Sequence, residues 1–275
     1  MGAGQSLSGD RLRVASGLVF TLHMPLITLL TDFGTADSYV AEVKAAILRG
    51  APDATMVDIS HSVPPGDVRS AAYLLGRTWQ HFPVGTVHLA VVDPGVGTGR
   101  DALALMAGGH GFVGPDNGLL TSPLRSGEVE VVTLPVPSAA APTFHGRDLF
   151  APAAAALACG TPLARLGEPF RGRPKLLAYT VPHYEGKSVV GEIVYVDRFG
   201  TLVTNLTTDL VPPYAVLEVE GLDIGPLRRT YGDVPTGGLL AYVGSGGAVE
   251  IAVRDGSAAR RLGTGVGSRI RARLG

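Results

Sequence analysis

The chain has 275 residues, of which 23 are basic and 24 acidic, giving a formal net charge of −1. That balance leaves no electrostatic basis for nucleic acid or an anionic membrane surface as the main partner. Hydrophobic residues make up 45%, enough for a substantial core, and the single cysteine, Cys159, excludes a disulfide framework or a zinc cage.

Residues 1–23, MGAGQSLSGDRLRVASGLVFTLH, place Arg11 and Arg13 before an apolar piece, as a secretory signal does. The piece is short and no small-residue cleavage site follows it. A loosely ordered N-terminal extension is therefore expected, and a cytoplasmic location. No run of about 18 apolar residues occurs, so no membrane span is expected.

PLITLLT at 25–31 reads as a buried strand. SYVAEVKAAILR at 38–49 has helical spacing with Ser38 as N-cap. TMVDI at 55–59 is a second strand, DVRSAAYLLGRTW at 67–79 a second helix, and TVHLAVV at 86–92 a third strand. This alternation predicts an α/β domain with a mainly parallel central sheet over residues 24–170. Short strands near 102–106 and 129–134 and a helix over 147–158 complete it. After Pro162 the helical patterns stop. Segments at 189–196, 215–219, 239–243 and 248–253 are β-branched and separated by Gly or Pro, predicting a C-terminal all-β, barrel-like domain over 183–275 beyond a linker at 171–182. The tail Arg269-Ile270-Arg271-Ala272-Arg273 alternates with period two and reads as a solvated edge strand.

Several lookalikes fail. Asp32-Phe33-Gly34 has the letters of a kinase motif, but no strand lysine or catalytic loop accompanies it. VVDPGVGTGR at 91–100 resembles a phosphate cradle, but it matches neither glycine fingerprint. A strand-like segment follows it where a phosphate site needs a helix N-terminus. The seven histidines form no HxH or HExxH pair, so no metal site is expected. Open parallel sheets bind ligands beyond the carboxyl ends of their strands. Asp32, Asp58 and Asp93 each stand at or near such an end. Asp58 alone reads as a turn residue; the three together point to a ligand with hydroxyls or positive charge.

Six motifs occur in one order: TDFG at 31–34, DISHSVPPGDVRSAAYLL at 58–75, VVDPGVGTGR at 91–100, PDNGLLT at 115–121, TFHGRDLFAP at 143–152 and VDRFGTLVTN at 196–205. Together they resemble the S-adenosyl-L-methionine (SAM) hydrolase family, also called SAM hydroxide adenosyltransferases, whose relatives include fluorinase and chlorinase. The resemblance implies an α/β domain followed by a β-barrel. It also implies a homotrimer with SAM between the N-domain of one subunit and the C-domain of the next, and no cofactor. Water or hydroxide would attack ribose C5′ and expel methionine, yielding adenosine. By motif the family's polar triad falls on Asp93, Arg100 and His145. Asp32 corresponds to the carboxylate that meets the ribose diol, with Phe33 beside it. Phe144 matches the aromatic near the sugar, and Asp197 the carboxylate that meets the methionine ammonium. Phe199 and Thr201 fall in the same loop. Ser245, Glu250 and Val253 lie in a segment, 245–253, similar to the strand pair that supplies backbone contacts to adenine. Thr201 departs from the family's usual Asn. It offers one hydroxyl where an amide offers donors and an acceptor, which bears on affinity for the methionine end.

The expected leaving group is a neutral thioether and needs no acid. The nucleophile is the difficulty: bulk water has a pKa of about 15.7. One guanidinium at about 4 Å contributes roughly 4 kcal/mol at an effective dielectric near 20, or about three pKa units. That leaves water mostly neutral at pH 7. Arg100 is therefore expected to polarise the water while Asp93 or His145 takes its proton. Two alternatives remain open at this level: a SAM-dependent halogenase, and a non-catalytic SAM or adenosine binder. A halogenase resembling fluorinase carries an uncharged residue at the position of Asp93, a serine at Gly146, a tryptophan at Gly66 and an insertion between Arg100 and Phe112. The resemblance thus favours hydrolysis.

Overall fold

The structure, a computed structural model, describes residues 24–275. The expected N-terminal extension lies outside the described residues. The first sheet contains β1 (Leu26–Thr31), β2 (Thr55–Ser60), β3 (Val87–Val91), β4 (Ala102–Ala107), β5 (His110–Pro115), β6 (Val129–Thr133) and β7 (Glu168–Pro169). Their order is β2-β1-β3-β5-β4-β6-β7. The first four in that order pair in parallel, and the remaining three pairings are antiparallel. Parallel strands at the centre of a covered sheet are apolar on both faces. β1 and β3 obey this: nearly every residue in them is buried.

One face of the sheet is covered by α1 (Tyr39–Gly50), whose Val43, Ala46 and Ile47 point inward. The other is covered by α2 (Val68–Thr78), which buries Ala71, Ala72 and Leu75, and by the single turn α3 (Thr121–Leu124). The helix predicted over 147–158 is in two parts. Gly146–Phe150 form a π-turn, in which the Ala151 N–H bonds to the Gly146 carbonyl, and α4 (Ala151–Ala158) continues beside α1. Pro152 has no N–H to give the carbonyl of Asp148, which accounts for the wider turn at this point. Ser38 stands at the N-cap of α1, but its hydroxyl donates to Glu42 at 2.7 Å instead of accepting a backbone N–H.

The second sheet holds β8 (His183–Glu185), β9 (Ser188–Val196), β10 (Leu202–Thr207), β11 (Val216–Val219), β12 (Leu222–Arg228), β13 (Leu239–Val243), β14 (Ala248–Val253) and β15 (Arg269–Arg273). A β10–β9 pairing closes seven of these strands into a barrel, with β8 added outside β9. Its interior is an aliphatic cluster that includes Val189, Ile193, Leu206, Leu217, Ile251 and Ile270. The short α5 (Ala258–Leu262) packs at β14. The tail is not an edge strand. β15 lies between β11 and β9, with Ile270 and Ala272 pointing inward and its arginines outside, answered by Glu185, Glu218 and Asp223. Barrel and α/β domain meet along α2 and β9, where Tyr73 stacks on Tyr195 at 4.7 Å and Arg69 bonds Glu192 at 2.7 Å.

Candidate active site

The loop after β3 is wound by its own hydrogen bonds. Val96 N–H donates to the Asp93 carbonyl at 3.2 Å, and Thr98 Oγ1 donates to the Gly95 carbonyl at 2.6 Å. Gly97 has φ of +75°, and a Cβ there would stand 2.6 Å from the Pro142 carbonyl. The turn needs glycine both for its left-handed backbone and for this close approach. Gly97→Ala is expected to cost at least about 1–2 kcal/mol from the backbone alone, and to separate the 93–100 loop from the 142–146 segment. Thermal unfolding and turnover of this one variant check both effects, and unchanged values would show that the approach is not needed.

Both ends of this loop turn the same way. Arg100 Nε lies 3.1 and 3.0 Å from the two carboxylate oxygens of Asp93, and its Nη2 also donates to Asp93 Oδ2. The same Nη2 is 3.1 Å from His145 Nδ1. A guanidinium only donates, so Nδ1 accepts and the neutral ring carries its proton on Nε2. Burial first, and then the Arg100 charge, push the His145 pKa below its ordinary value, which keeps the ring neutral. The side chains of Arg100 and Asp93 are only 6% and 5% exposed. Phe150 of the π-turn lies under the guanidinium at 5.1 Å. Arg100 Nη1 is buried with no hydrogen-bond partner among the described residues.

The segment carrying His145 is fixed from the other side. Arg147 forks onto Asp148 at 2.7 and 2.9 Å, reaches Glu42 of α1 at 2.8 Å, and lies 4.8 Å from the centre of the Phe144 ring. Asp148 in turn accepts from Ala141 N–H at 2.9 Å. Phe33, Tyr39 and Phe144 meet edge to face, 5.4 to 6.2 Å apart.

A cleft of about 430 Å³ opens at the carboxyl ends of β1 and β3. Asp32, Phe33, Asp93, Phe144 and His145 line it, and Gly66 N–H donates to Asp32 Oδ2 at 2.8 Å. Arg100 is not on this wall. It stands behind Asp93 and His145 and touches both. Asp58 takes no part: it pairs with Lys44 at 2.7 Å and His61 at 3.2 Å.

The barrel carries a second cleft, of about 730 Å³, that shares no lining residue with the first. Phe199, Thr201 and Val253 line it, with Tyr231, Arg254 and Arg260. Asp197 sits in the turn beneath, where its Oδ1 accepts from the backbone N–H groups of Phe199 and Thr201 at 2.9 and 2.7 Å. Ser245 and Glu250 line neither cleft. Ser245 accepts from Arg77 of α2 at 3.2 Å across the domain seam, and Glu250 accepts from Tyr242 at 2.5 Å. Tyr231, Arg254 and Arg260 were absent from the sequence-based set. Tyr231 had one legible signal, the Thr230-x-x-Asp233 capping box that fixes its backbone. Among the described residues no group of three or more His, Cys, Asp or Glu is placed to hold a metal ion, and no helix is long and apolar enough to cross a membrane.

Comparison with known proteins accords with this geometry. Residues 27–167 match the family model for the SAM hydroxide adenosyltransferase N-terminal domain, and residues 191–271 match that for its C-terminal domain. A curated relative from Thermus thermophilus, named (R)-S-adenosyl-L-methionine hydrolase, is 45% identical over 260 residues, covering 89% of this chain and 98% of the relative. A fluorinase from Nocardia brasiliensis is 28% identical, over 91% of this chain and 97% of its own. A crystal structure of an uncharacterized conserved protein from Thermotoga maritima superposes with a TM-score of 0.83 at 37% identity, covering 90% of this chain and 99% of that one. The chain belongs to the SAM hydroxide adenosyltransferase family.

Proposed function

We infer that the protein hydrolyses S-adenosyl-L-methionine to adenosine and L-methionine. The observation that carries this is the convergence of Asp93, Arg100 and His145, from two distant segments, behind and on the wall of a cleft that also holds Asp32, Phe33 and Phe144. The similarity to a relative named as a SAM hydrolase, over nearly its whole length, supports the same substrate.

In the reaction, a water oxygen attacks ribose C5′, and the C5′–S bond breaks with its electron pair passing to sulfur. Methionine leaves as a neutral thioether, and the water proton must go to a base. His145 Nδ1 is occupied by Arg100, and Nε2 already carries a proton, so the imidazole donates towards the cleft. Asp93 is the member of the triad that lines the cleft and can still accept: a carboxylate has about four lone-pair sites. We therefore assign Asp93 as the base and His145 as the donor that holds the water oxygen. Arg100 acts through both, fixing the carboxylate and the imidazole tautomer. This replaces the direct polarisation of water expected from the sequence. Asp32 is suited to accept hydrogen bonds from the ribose diol, with Phe33 and Phe144 against the sugar.

The barrel cleft is suited to the base and the methionine end, through Phe199, Thr201 and Val253, with Asp197 beneath. Phe199 is 76% exposed, and the two clefts share no wall. A homotrimer that apposes the barrel cleft of one subunit to the α/β cleft of the next would complete each site. A cytoplasmic location is proposed as part of the same reading.

Incubation with SAM, in buffers with and without chloride or fluoride, tests the reading. Chromatography is expected to show adenosine and methionine in equal amounts under every condition. A halogenated nucleoside would support a halogenase instead, and unchanged SAM retained on the protein would leave a binder.

A further inference from the structure

Tyr231, on the wall of the barrel cleft, heads a hydrogen-bonded chain that runs away from it. Its Oη lies 2.6 Å from Tyr242 Oη, and Tyr242 Oη lies 2.5 Å from Glu250 Oε2. Tyr242 and Glu250 face each other across β13 and β14. The second carboxylate oxygen is packed over Gly244, where a Cβ would stand 1.9 Å from Oε1. Glu250 is therefore held from both sides, by the Tyr242 hydroxyl and by the Gly244 backbone. The backbone of Tyr231 is fixed by the Thr230–Asp233 capping box around its single 3-10 turn, and its ring lies 5.0 Å from that of Tyr242.

The chain has one direction. A carboxylate only accepts, so Tyr242 donates to Glu250. Burial first, and then the hydrogen bond to Glu250, hold the Tyr242 hydroxyl protonated beyond the usual phenol range. Tyr242 has then given its only proton and can only accept from Tyr231. Tyr231 in turn commits its proton to Tyr242, and its oxygen keeps a lone pair and nothing to donate.

We propose that Tyr231 is a specificity-determining residue that presents a hydrogen-bond acceptor to the purine, selecting a 6-amino base over a 6-oxo base, with Tyr242 and Glu250 as positioning residues that set its polarity. This rests on the placement of the base in the barrel cleft. An exocyclic amine donates to such an acceptor, whereas a 6-oxo group would set two acceptors against each other. Sites built around a substrate's hydrogen bond reject analogues that cannot make it by up to about 10⁴–10⁵. Tyr231 is partly exposed, so a smaller factor is expected here.

The experiment compares kcat/KM for SAM and for S-inosyl-L-methionine, its 6-oxo analogue, in the full-length protein and its variants. The unaltered enzyme is expected to prefer SAM by at least about 30-fold. Tyr242→Phe frees the Tyr231 proton for donation to a 6-oxo group, and the preference should narrow by about tenfold or more, mainly through KM. Glu250→Gln keeps the shape but supplies an amide donor, so the chain can reverse, and the preference should narrow in the same direction. Phe199→Ala, on the same cleft wall, should raise KM for SAM. A wild-type enzyme indifferent to the 6-position overturns the proposal. So does a ratio unchanged within about twofold in both relay variants while Phe199→Ala raises KM. If Phe199→Ala leaves KM unaltered, the base does not lie in the barrel cleft, and that placement falls together with the proposal.

Discussion

Arg100→Ala is expected to lower kcat at least about 100-fold, with a smaller change in affinity for SAM. The guanidinium touches both cleft-lining members of the triad and no part of the cleft itself. Its removal leaves the Asp93 carboxylate free to turn and lets the His145 proton move to Nδ1. Either change removes a hydrogen bond to the attacking water, and misplacement of about 1 Å in such an arrangement costs on the order of 100-fold. The substrate contacts assigned to Asp32, Phe33 and Phe144 are untouched, so binding should be largely kept. Arg100→Lys should be nearly as poor, because an ammonium cannot fork onto Asp93 and reach His145 from the same group. Turnover unaltered in Arg100→Ala would remove the arginine from the mechanism.

A loss of activity is informative only if the fold survives. Removing one partner of a buried ion pair typically costs about 3–5 kcal/mol, because the other charge is left uncompensated. Arg100→Ala should therefore also be less stable. The double variant Arg100→Met with Asp93→Leu replaces both charges by apolar side chains and should regain most of that stability. It should remain inactive. Recovery of stability without recovery of turnover separates the chemical role of the pair from its structural one.

The sequence was most informative where the fold is simplest. β1 and β3 are buried on both faces, so each is an unbroken apolar run, and the aspartates that follow them mark the cleft rim. β5 was missed because its sequence, HGFVGP, carries the residues of a turn. Its Gly114 is there for contact: a Cβ would stand 2.4 Å from the Ala90 carbonyl. β10 and β12 were missed as well, the second being interrupted by Gly225 and Pro226. Closure of the barrel depends on β10 pairing with β9 and β14 at once, and no local pattern encodes that. The same limit explains the tail. Alternating arginines look solvated whether the strand has one neighbour or two. At the site, a separation of only seven positions between Asp93 and Arg100 suggests proximity. It does not reveal that the arginine stands behind the carboxylate, since that depends on Gly97 passing close to the distant Pro142.

Acid should weaken the α/β domain well before its carboxylates protonate. His88 of β3 is fully buried, with Nδ1 2.8 Å from Thr28 Oγ1 and Nε2 3.2 Å from His110 Nδ1. Its ring stacks on Phe112 at 4.9 Å. Burial first, and then the neighbouring His110, lower its pKa from 6.5 to about 3. The folded pKa is thus below the unfolded one, so between these values the unfolded chain binds the extra proton. Stability is fully present above pH 6.5 and falls as the pH drops through that range. Each pH unit is worth about 1.4 kcal/mol once the unfolded ring is fully protonated, so His88 alone should cost about 2 kcal/mol between pH 6.5 and 4.5. His110 and His145, whose pKa values are also lowered by burial, add to the same slope. The carboxylates held below their ordinary range, Glu42, Asp58, Asp148 and Glu185, lose their contribution only at lower pH. Asp116, whose pKa burial raises, opposes the histidine slope equally in the protein and in a His88 variant, so it cancels in their comparison. Urea unfolding at pH 7.0 and 4.5 measures the loss. His88→Gln keeps a polar group between Thr28 and His110 but cannot titrate, and it should flatten the dependence by about 2–3 kcal/mol over that interval. An equal slope in the variant would mean that His88 is not the group responsible.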